Sequence, residues 1–251
     1  MPPATMLPSP GAGDGMQFLV GTSGYSYKEW KGNFYPADAK PQEMLRLYGE
    51  RLQTVEINNT FYRMPSEKML LGWAEQVGDD FSFVLKASRR ITHQKRLKDA
   101  GEALAYLLQT SMALGSKLGP MLFQLPPNLP QDTARLTDFL SLLPNRWPAA
   151  FEFRHASWFD EGTYEALRSR GATLVVADTD DDDPLSIVPT AGLGYLRLRR
   201  ETYDDDQLRV WVERIAAQPW DKVYVFFKHE EEGAGPRLAE RFKELAASAG
   251  S

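Results

Sequence analysis

Eight short runs of β-branched, aromatic and aliphatic residues recur along the chain, each separated from the next by amphipathic stretches. This alternation constrains the fold more than any other feature. The runs cover residues 17–22, 54–58, 81–87, 121–125, 150–154, 173–178, 194–199 and 222–228. Between them, Leu70, Trp73, Ala74 and Val77 recur at the i, i+3, i+4, i+7 spacing of a helix face. Leu136, Phe139, Leu140 and Leu143 repeat that spacing, as do Leu208, Trp211, Val212 and Ile215. Ser66, Asp132 and the Gly235-Pro236 pair supply start signals, because a small acceptor satisfies orphan N–H groups and proline removes one. Strands that alternate with helices form parallel sheets, since a parallel connection needs a crossover that a helix can cover.

Eight such units in 251 residues predict a single TIM-type (β/α)8 barrel, whose usual length is about 250 residues, ahead of an open doubly wound sheet. The barrel domain is assigned to residues 16–251. Residues 1–15, rich in Pro, Gly and Ala, read as a disordered tail without the basic start and apolar run of a secretory signal. With 43% apolar residues, a chain of this length can bury a core large enough to need no staples. It contains no cysteine, which excludes disulfides, thiolate metal sites and a cysteine nucleophile and fits a cytoplasmic location. No segment approaches the ~20 apolar residues of a membrane span, so no membrane partner is expected. The net charge of −5 disfavours a general nucleic-acid coat, although a local basic cleft is compatible with it.

Side chains alternate faces along a strand, and in a barrel one face meets the helices while the other points inward. Polar residues that alternate with apolar ones therefore reveal the interior. Glu56 and Asn58 alternate with Val55 and Ile57, Lys86 with Phe83 and Leu85, and Glu152 and Arg154 with Phe151 and Phe153. The same reading places Gln124, Asp178, Arg197, Arg199 and Lys228 inside, mostly toward the C-terminal ends of their strands. That rim carries the chemistry of barrel enzymes. Aromatic residues crowd the adjoining loops, among them Tyr25, Trp30, Tyr62 and Trp158, and such faces beside cations can stack sugars or bases.

Several segments carry a family resemblance. They are Gly21-Thr22-Ser23-Gly24-Tyr25 through Trp30, Phe34-Tyr35-Pro36, Val55-Glu56-Ile57-Asn58-Asn59-Thr60-Phe61-Tyr62-Arg63-Met64-Pro65, Lys86-Ala87 with Ile91-Thr92-His93, Gln124-Leu125-Pro126-Pro127, and Phe151-Glu152-Phe153-Arg154-His155 through Trp158. In this order they resemble the YecE-like family, domain of unknown function 72, over nearly the whole chain. The resemblance implies a TIM-type barrel and no particular reaction. Two places depart from the pattern: many relatives resemble Arg-x-His-Gly where this chain has Arg197-Leu198-Arg199-Arg200, and carry paired Asn where it has Lys228-His229. Both changes add cationic character.

No cofactor is assigned, because neither a P-loop nor a dinucleotide fingerprint is present. A metal is not expected: His93, His155 and His229 fall in three separate βα regions without metal-ligand spacing. The acidic run from Asp178 to Asp183 lacks the glycine and final glutamate of a calcium loop and reads as a solvated segment. Gly21 to Tyr25 does not match a serine nucleophile elbow. The leading functional reading is a hydrolase or lyase acting on an anionic sugar-like or phosphorylated small molecule. Glu56 and Glu152 would act as acid and base, His93 or His155 would carry protons, and Lys86, Arg154 and Arg197 would stabilise charge. Tyr25, Trp30, Asn58, Tyr62, Gln124, Trp158, Asp178, Arg199, Lys228 and His229 complete the expected ligand surface. The alternatives are a non-catalytic protein that binds a nucleotide or a single-stranded nucleic acid, and an inert scaffold barrel.

Overall fold

The computed structural model describes residues 15–180, 186–228 and 233–249. Nine parallel strands run through them: β1 (Gln17–Ser23), β2 (Thr54–Ile57), β3 (Ser82–Lys86), β4 (Leu118–Gln124), β5 (Ala149–Glu152), β6 (Thr173–Leu174), β7 (Val176–Asp178), β8 (Leu193–Leu198) and β9 (Lys222–Phe227). They pair in the order β6-β5-β4-β3-β2-β1-β9-β8-β7. The expected eight runs become nine strands because the sixth is interrupted at Val175. Its first half pairs with β5 and its second with β8, so one stretch of chain joins both ends of the sheet and nearly closes a barrel. The Val175 amide still donates to the Phe151 carbonyl, at 2.9 Å, before the pairing changes sides.

Helices cover the outside: α1 (Met44–Gly49), α2 (Asn59–Tyr62), α3 (Glu67–Ala74), α4 (Gly101–Ser111), α5 (Thr133–Ser141), α6 (Glu161–Arg170), α7 (Asp205–Ala216) and α8 (Ala234–Ala249). The anticipated caps are present. Ser66 accepts from the Met69 amide at 3.3 Å, and Asp132 from the Arg135 amide at 2.9 Å. Asp204 forms a reciprocal capping box with Gln207 at the start of α7. Leu136, Phe139 and Leu140 of α5 are buried, as are Leu208, Trp211, Val212 and Ile215 of α7, so both predicted stripes face the sheet. α3 stops at Ala74, and Val77 packs on the core from the turn that follows.

Two apolar clusters lie between sheet and helices, and a third fills the barrel itself. The inner cluster is built from Leu19, Val84, Leu122, Ala150, Val175, Tyr195, Tyr224 and Phe226. Each strand that contributes to it presents its next inward side chain two residues later, toward the C-terminal end. That step takes Val84 to Lys86, Leu122 to Gln124, Ala150 to Glu152 and Tyr195 to Arg197. A charged layer therefore rests directly on an apolar floor. β1 can approach β2 closely because residue 21 is glycine: a Cβ there would lie 2.0 Å from the Thr54 carbonyl oxygen. Among the described residues, no helix is long and apolar enough to cross a membrane.

Candidate functional site at the barrel mouth

Arg197 organises the charged layer. It is 2% exposed, and its guanidinium donates to Glu56 Oε1 at 2.8 Å, to Gln124 Oε1 at 3.3 Å and to Glu152 Oε2. Glu56, at the end of β2, also accepts from the Tyr195 hydroxyl at 2.6 Å. Glu152, at the end of β5, also accepts from Arg154 Nε at 3.1 Å, and an Arg199 nitrogen stands 3.8 Å from the same oxygen. Burial pushes the Glu152 carboxyl up, but Arg197, Arg154 and Arg199 outweigh it and hold it down at about 2. Glu152 is therefore ionised at any ordinary pH. Burial and the negative charge of Glu56 hold the Tyr195 hydroxyl well above its usual range, so it stays protonated and donates.

Lys86 ends β3, buried in the same layer, with Nζ 4.4 Å from the centre of the Phe61 ring. Burial first, and then Arg197, lowers its ammonium to about 8 despite the opposing pull of Glu56 and Glu152. His93 packs edge-on with Phe61, at 4.9 Å between ring centres, and its Nδ1 lies 2.9 Å from Thr92 Oγ1. Burial, followed by the charges of Lys86 and Arg154, lowers the His93 imidazole. The backbone that carries it is unusual. Residues Arg90–Gln94 form a turn of π-helix, and Arg96, Leu97 and Asp99 just beyond it have positive φ angles of 49°, 68° and 51°. Such conformations are costly in non-glycine residues, and they concentrate where function requires a particular geometry.

The layer thus collects four cations, Lys86, Arg154, Arg197 and Arg199, around two carboxylates, Glu56 and Glu152, and Arg197 bridges both carboxylates. Three buried polar atoms around it have no protein partner: Ser23 Oγ, Arg197 Nε and Arg199 Nε. Ser23 is paired in register with Glu56 and shares its inward face. Ser23, Tyr195 and Phe61 were not among the expected site residues. Counting by twos from Leu19 reaches Ser23, and counting back from Arg197 reaches Tyr195, so strand parity carried the signal for both. Phe61 lies on a helix after β2, where parity says nothing.

Other expected residues stand elsewhere. Asp178 shares the parity of Val176, which belongs to the outer cluster, so it points toward the helices. There it binds Arg200 Nε at 2.8 Å, the Tyr203 hydroxyl at 2.8 Å and the Trp211 indole at 3.3 Å. The inward residue of that segment is Val175, and the expectation for Asp178 was displaced by one position. Trp158 stacks on the outward Phe153 at 4.5 Å and donates to the Leu129 carbonyl at 2.8 Å. Trp30 is buried among Tyr27, Phe34 and Tyr35. These two indoles are core packing: each is 1% exposed and belongs to an apolar cluster between sheet and helices. His155 caps its own turn, accepting from the Ser157 amide at 3.3 Å.

Tyr25 is half-buried beside Tyr48, and its carbonyl accepts the Tyr35 hydroxyl at 2.6 Å. Asn58 is half-buried at the start of α2, and its side chain makes no capping bond. Tyr62 is 68% exposed. Lys228 follows β9 with the inward parity of Phe226, its amide 3.4 Å from the Leu198 carbonyl. His229 and Asp181 to Asp183 lie outside the described residues. Among the described residues, no three His, Asp or Glu side chains gather as a metal site would require.

A parallel α/β barrel with a buried ionic layer at the C-terminal ends of its strands defines the class: a TIM-type barrel protein whose polar side chains converge at the mouth. Within that class, the chain belongs to the family described as Protein of unknown function DUF72, whose model matches residues 19–251. It is 31% identical over 141 residues to the UPF0759 protein YecE of Escherichia coli K12, a match covering 54% of this chain and 52% of the relative. The chain spans about half the length of the curated relatives it matches. A crystal structure of a DUF72 family protein from Thermotoga maritima is 28% identical, with a TM-score of 0.76 over 92% of this chain and 99% of that one. Another, from Enterococcus faecalis, reaches a TM-score of 0.76 at 18% identity, covering 92% and 96%, and supports the fold alone.

Proposed function

We propose that the barrel mouth binds a small anionic ligand of sugar-like or phosphorylated kind and acts on it as a lyase or hydrolase. One observation carries this reading: four cations surround two carboxylates, and a single arginine occupies both. Positive charge left over in the layer attracts an anion, and the partly exposed guanidinium groups of Arg154 and Arg199 give it places to bind. Glu152, held ionised at about 2, has no proton to donate near neutral pH. Its role in this reading is that of a counter-ion that fixes Arg197, and proton transfer passes to Lys86 and His93. Lys86 is lowered to about 8, toward the range where an acid or base works, and the lowering of His93 favours its neutral, proton-accepting form.

The test uses ribose 5-phosphate and ribose as probes. A phosphorylated sugar present at about 100 times its dissociation constant stabilises the fold by about 2.7 kcal/mol, or roughly 5–10 °C in melting temperature. Ribose 5-phosphate should raise the melting temperature, the rise should shrink as salt increases, and Arg199→Ala should abolish it. Equal effects of ribose and ribose 5-phosphate, or an undiminished rise in Arg199→Ala, would overturn the reading. Binding of single-stranded oligonucleotides in place of the sugar phosphate would favour the non-catalytic alternative.

A further inference from the structure

We infer that Lys86 is a carbonyl-trapping amine, which forms an imine with the aldehyde or ketone group of a phosphorylated sugar-like substrate held by Arg154 and Arg199. This rests on the reading of the mouth as an anion site and names the substrate class and bond chemistry for it. Lys86 lies at the end of β3, one inward step above Val84 of the apolar floor, and is 9% exposed. A buried ammonium normally requires a carboxylate partner. Here, among the described residues, its nitrogen makes no hydrogen bond or ion pair. The two carboxylates that could have served are occupied: Glu56 by Arg197 and Tyr195, Glu152 by Arg197 and Arg154. Among the described residues, its direct contact is the Phe61 ring face, and Glu56 and Glu152 act on it only from a distance.

That arrangement suits an amine meant to lose its proton and attack carbon. Its titration near 8 agrees: at pH 7 such a group is neutral roughly 200-fold more often than an exposed lysine titrating near 10.4. In the step proposed, the neutral nitrogen adds to the carbonyl carbon, forming a C–N bond and a carbinolamine. The oxygen then leaves as water, carrying both hydrogens of the original amine, and the imine nitrogen takes one proton from solvent. The resulting cation draws electrons from the neighbouring bond, as a lyase requires. His93, which also packs against Phe61, carries protons during these transfers.

The experiment incubates the whole protein with D-glyceraldehyde 3-phosphate or with glyceraldehyde at pH 7, reduces any imine with cyanoborohydride and maps modified lysines by peptide mass spectrometry. The expected result is modification of Lys86 in large excess over every exposed lysine with the phosphorylated aldehyde. Glyceraldehyde should label it at least tenfold less, and inorganic phosphate should suppress the labelling. Lys86→Arg should remain folded, still be stabilised by ribose 5-phosphate and show no labelling at position 86. Labelling spread over surface lysines with Lys86 untouched, while ribose 5-phosphate still stabilises the protein, overturns the amine and leaves the anion site standing. Equal labelling of Lys86 by both aldehydes supports the amine and overturns the anion reading.

Discussion

Replacing Arg197 by methionine leaves Glu56 and Glu152 buried with neither of their shared bonds, and the structure sets the size of the consequence. Removing one partner of a buried ionic group costs about 3–5 kcal/mol. The Glu152 carboxyl agrees in direction: Arg197, with Arg154 and Arg199, holds it at about 2 against an ordinary 4.5. At about 1.4 kcal/mol for each tenfold change in proton affinity, that net difference is worth about 3 kcal/mol for the three arginines together after burial is offset. Because the folded-state value is depressed, this stability is fully present above the unfolded value near 4.5 and is lost as pH falls through about 2. In Arg197→Met the largest of the three charges opposing burial is gone, so the Glu152 carboxyl rises and protonation relieves the fold instead of weakening it. Urea unfolding followed by tryptophan fluorescence should therefore show a deficit of about 3–5 kcal/mol at pH 7, or roughly 10 °C in melting temperature. The deficit should narrow toward pH 4, and Glu152→Gln added to Arg197→Met should recover part of it. A deficit that is the same at pH 4 and pH 7, together with a double variant no more stable than the single one, would refute the reasoning.

Two further outcomes follow from individual contacts. Tyr195→Phe removes the 2.6 Å bond to buried Glu56, and a lost hydrogen bond to a charged group should lower stability by about 1.5–3 kcal/mol in the same unfolding assay. Asp178→Ala frees Arg200, Tyr203 and Trp211 at once. It should cost about 2–4 kcal/mol and speed amide exchange in the segment between β8 and α7, while labelling of Lys86 by glyceraldehyde 3-phosphate is unchanged.

Much of the architecture was legible because it depends on local periodicity. The spacing of Leu208, Trp211, Val212 and Ile215 marks one face of a helix whatever it packs against, and the alternation of Glu152 and Arg154 with Phe151 and Phe153 marks two faces of a strand. The motif residues pointed to the same barrel. The missed positions are those where a count is taken from the wrong start or where no period exists. Asp178 lies one residue off the inward set because Val175 is the residue that meets the barrel axis. Trp30 and Trp158 are aromatic and lie in loops after strands, as ligand contacts often do, yet their rings close gaps between sheet and helices.

By itself, then, the order of residues determined the strand-helix alternation, the helix caps and the charged character of one strand end, since each follows from contacts a few residues apart. Only the tertiary structure decided how those charges are shared. Arg197 meets Glu56 and Glu152 from strands far apart in sequence, and with Tyr195 and Arg154 it occupies both carboxylates, which leaves Lys86 without a direct carboxylate partner. The physical reason is that an ionic group's state depends on distances of a few ångströms between distant segments, and closure of the barrel sets those distances.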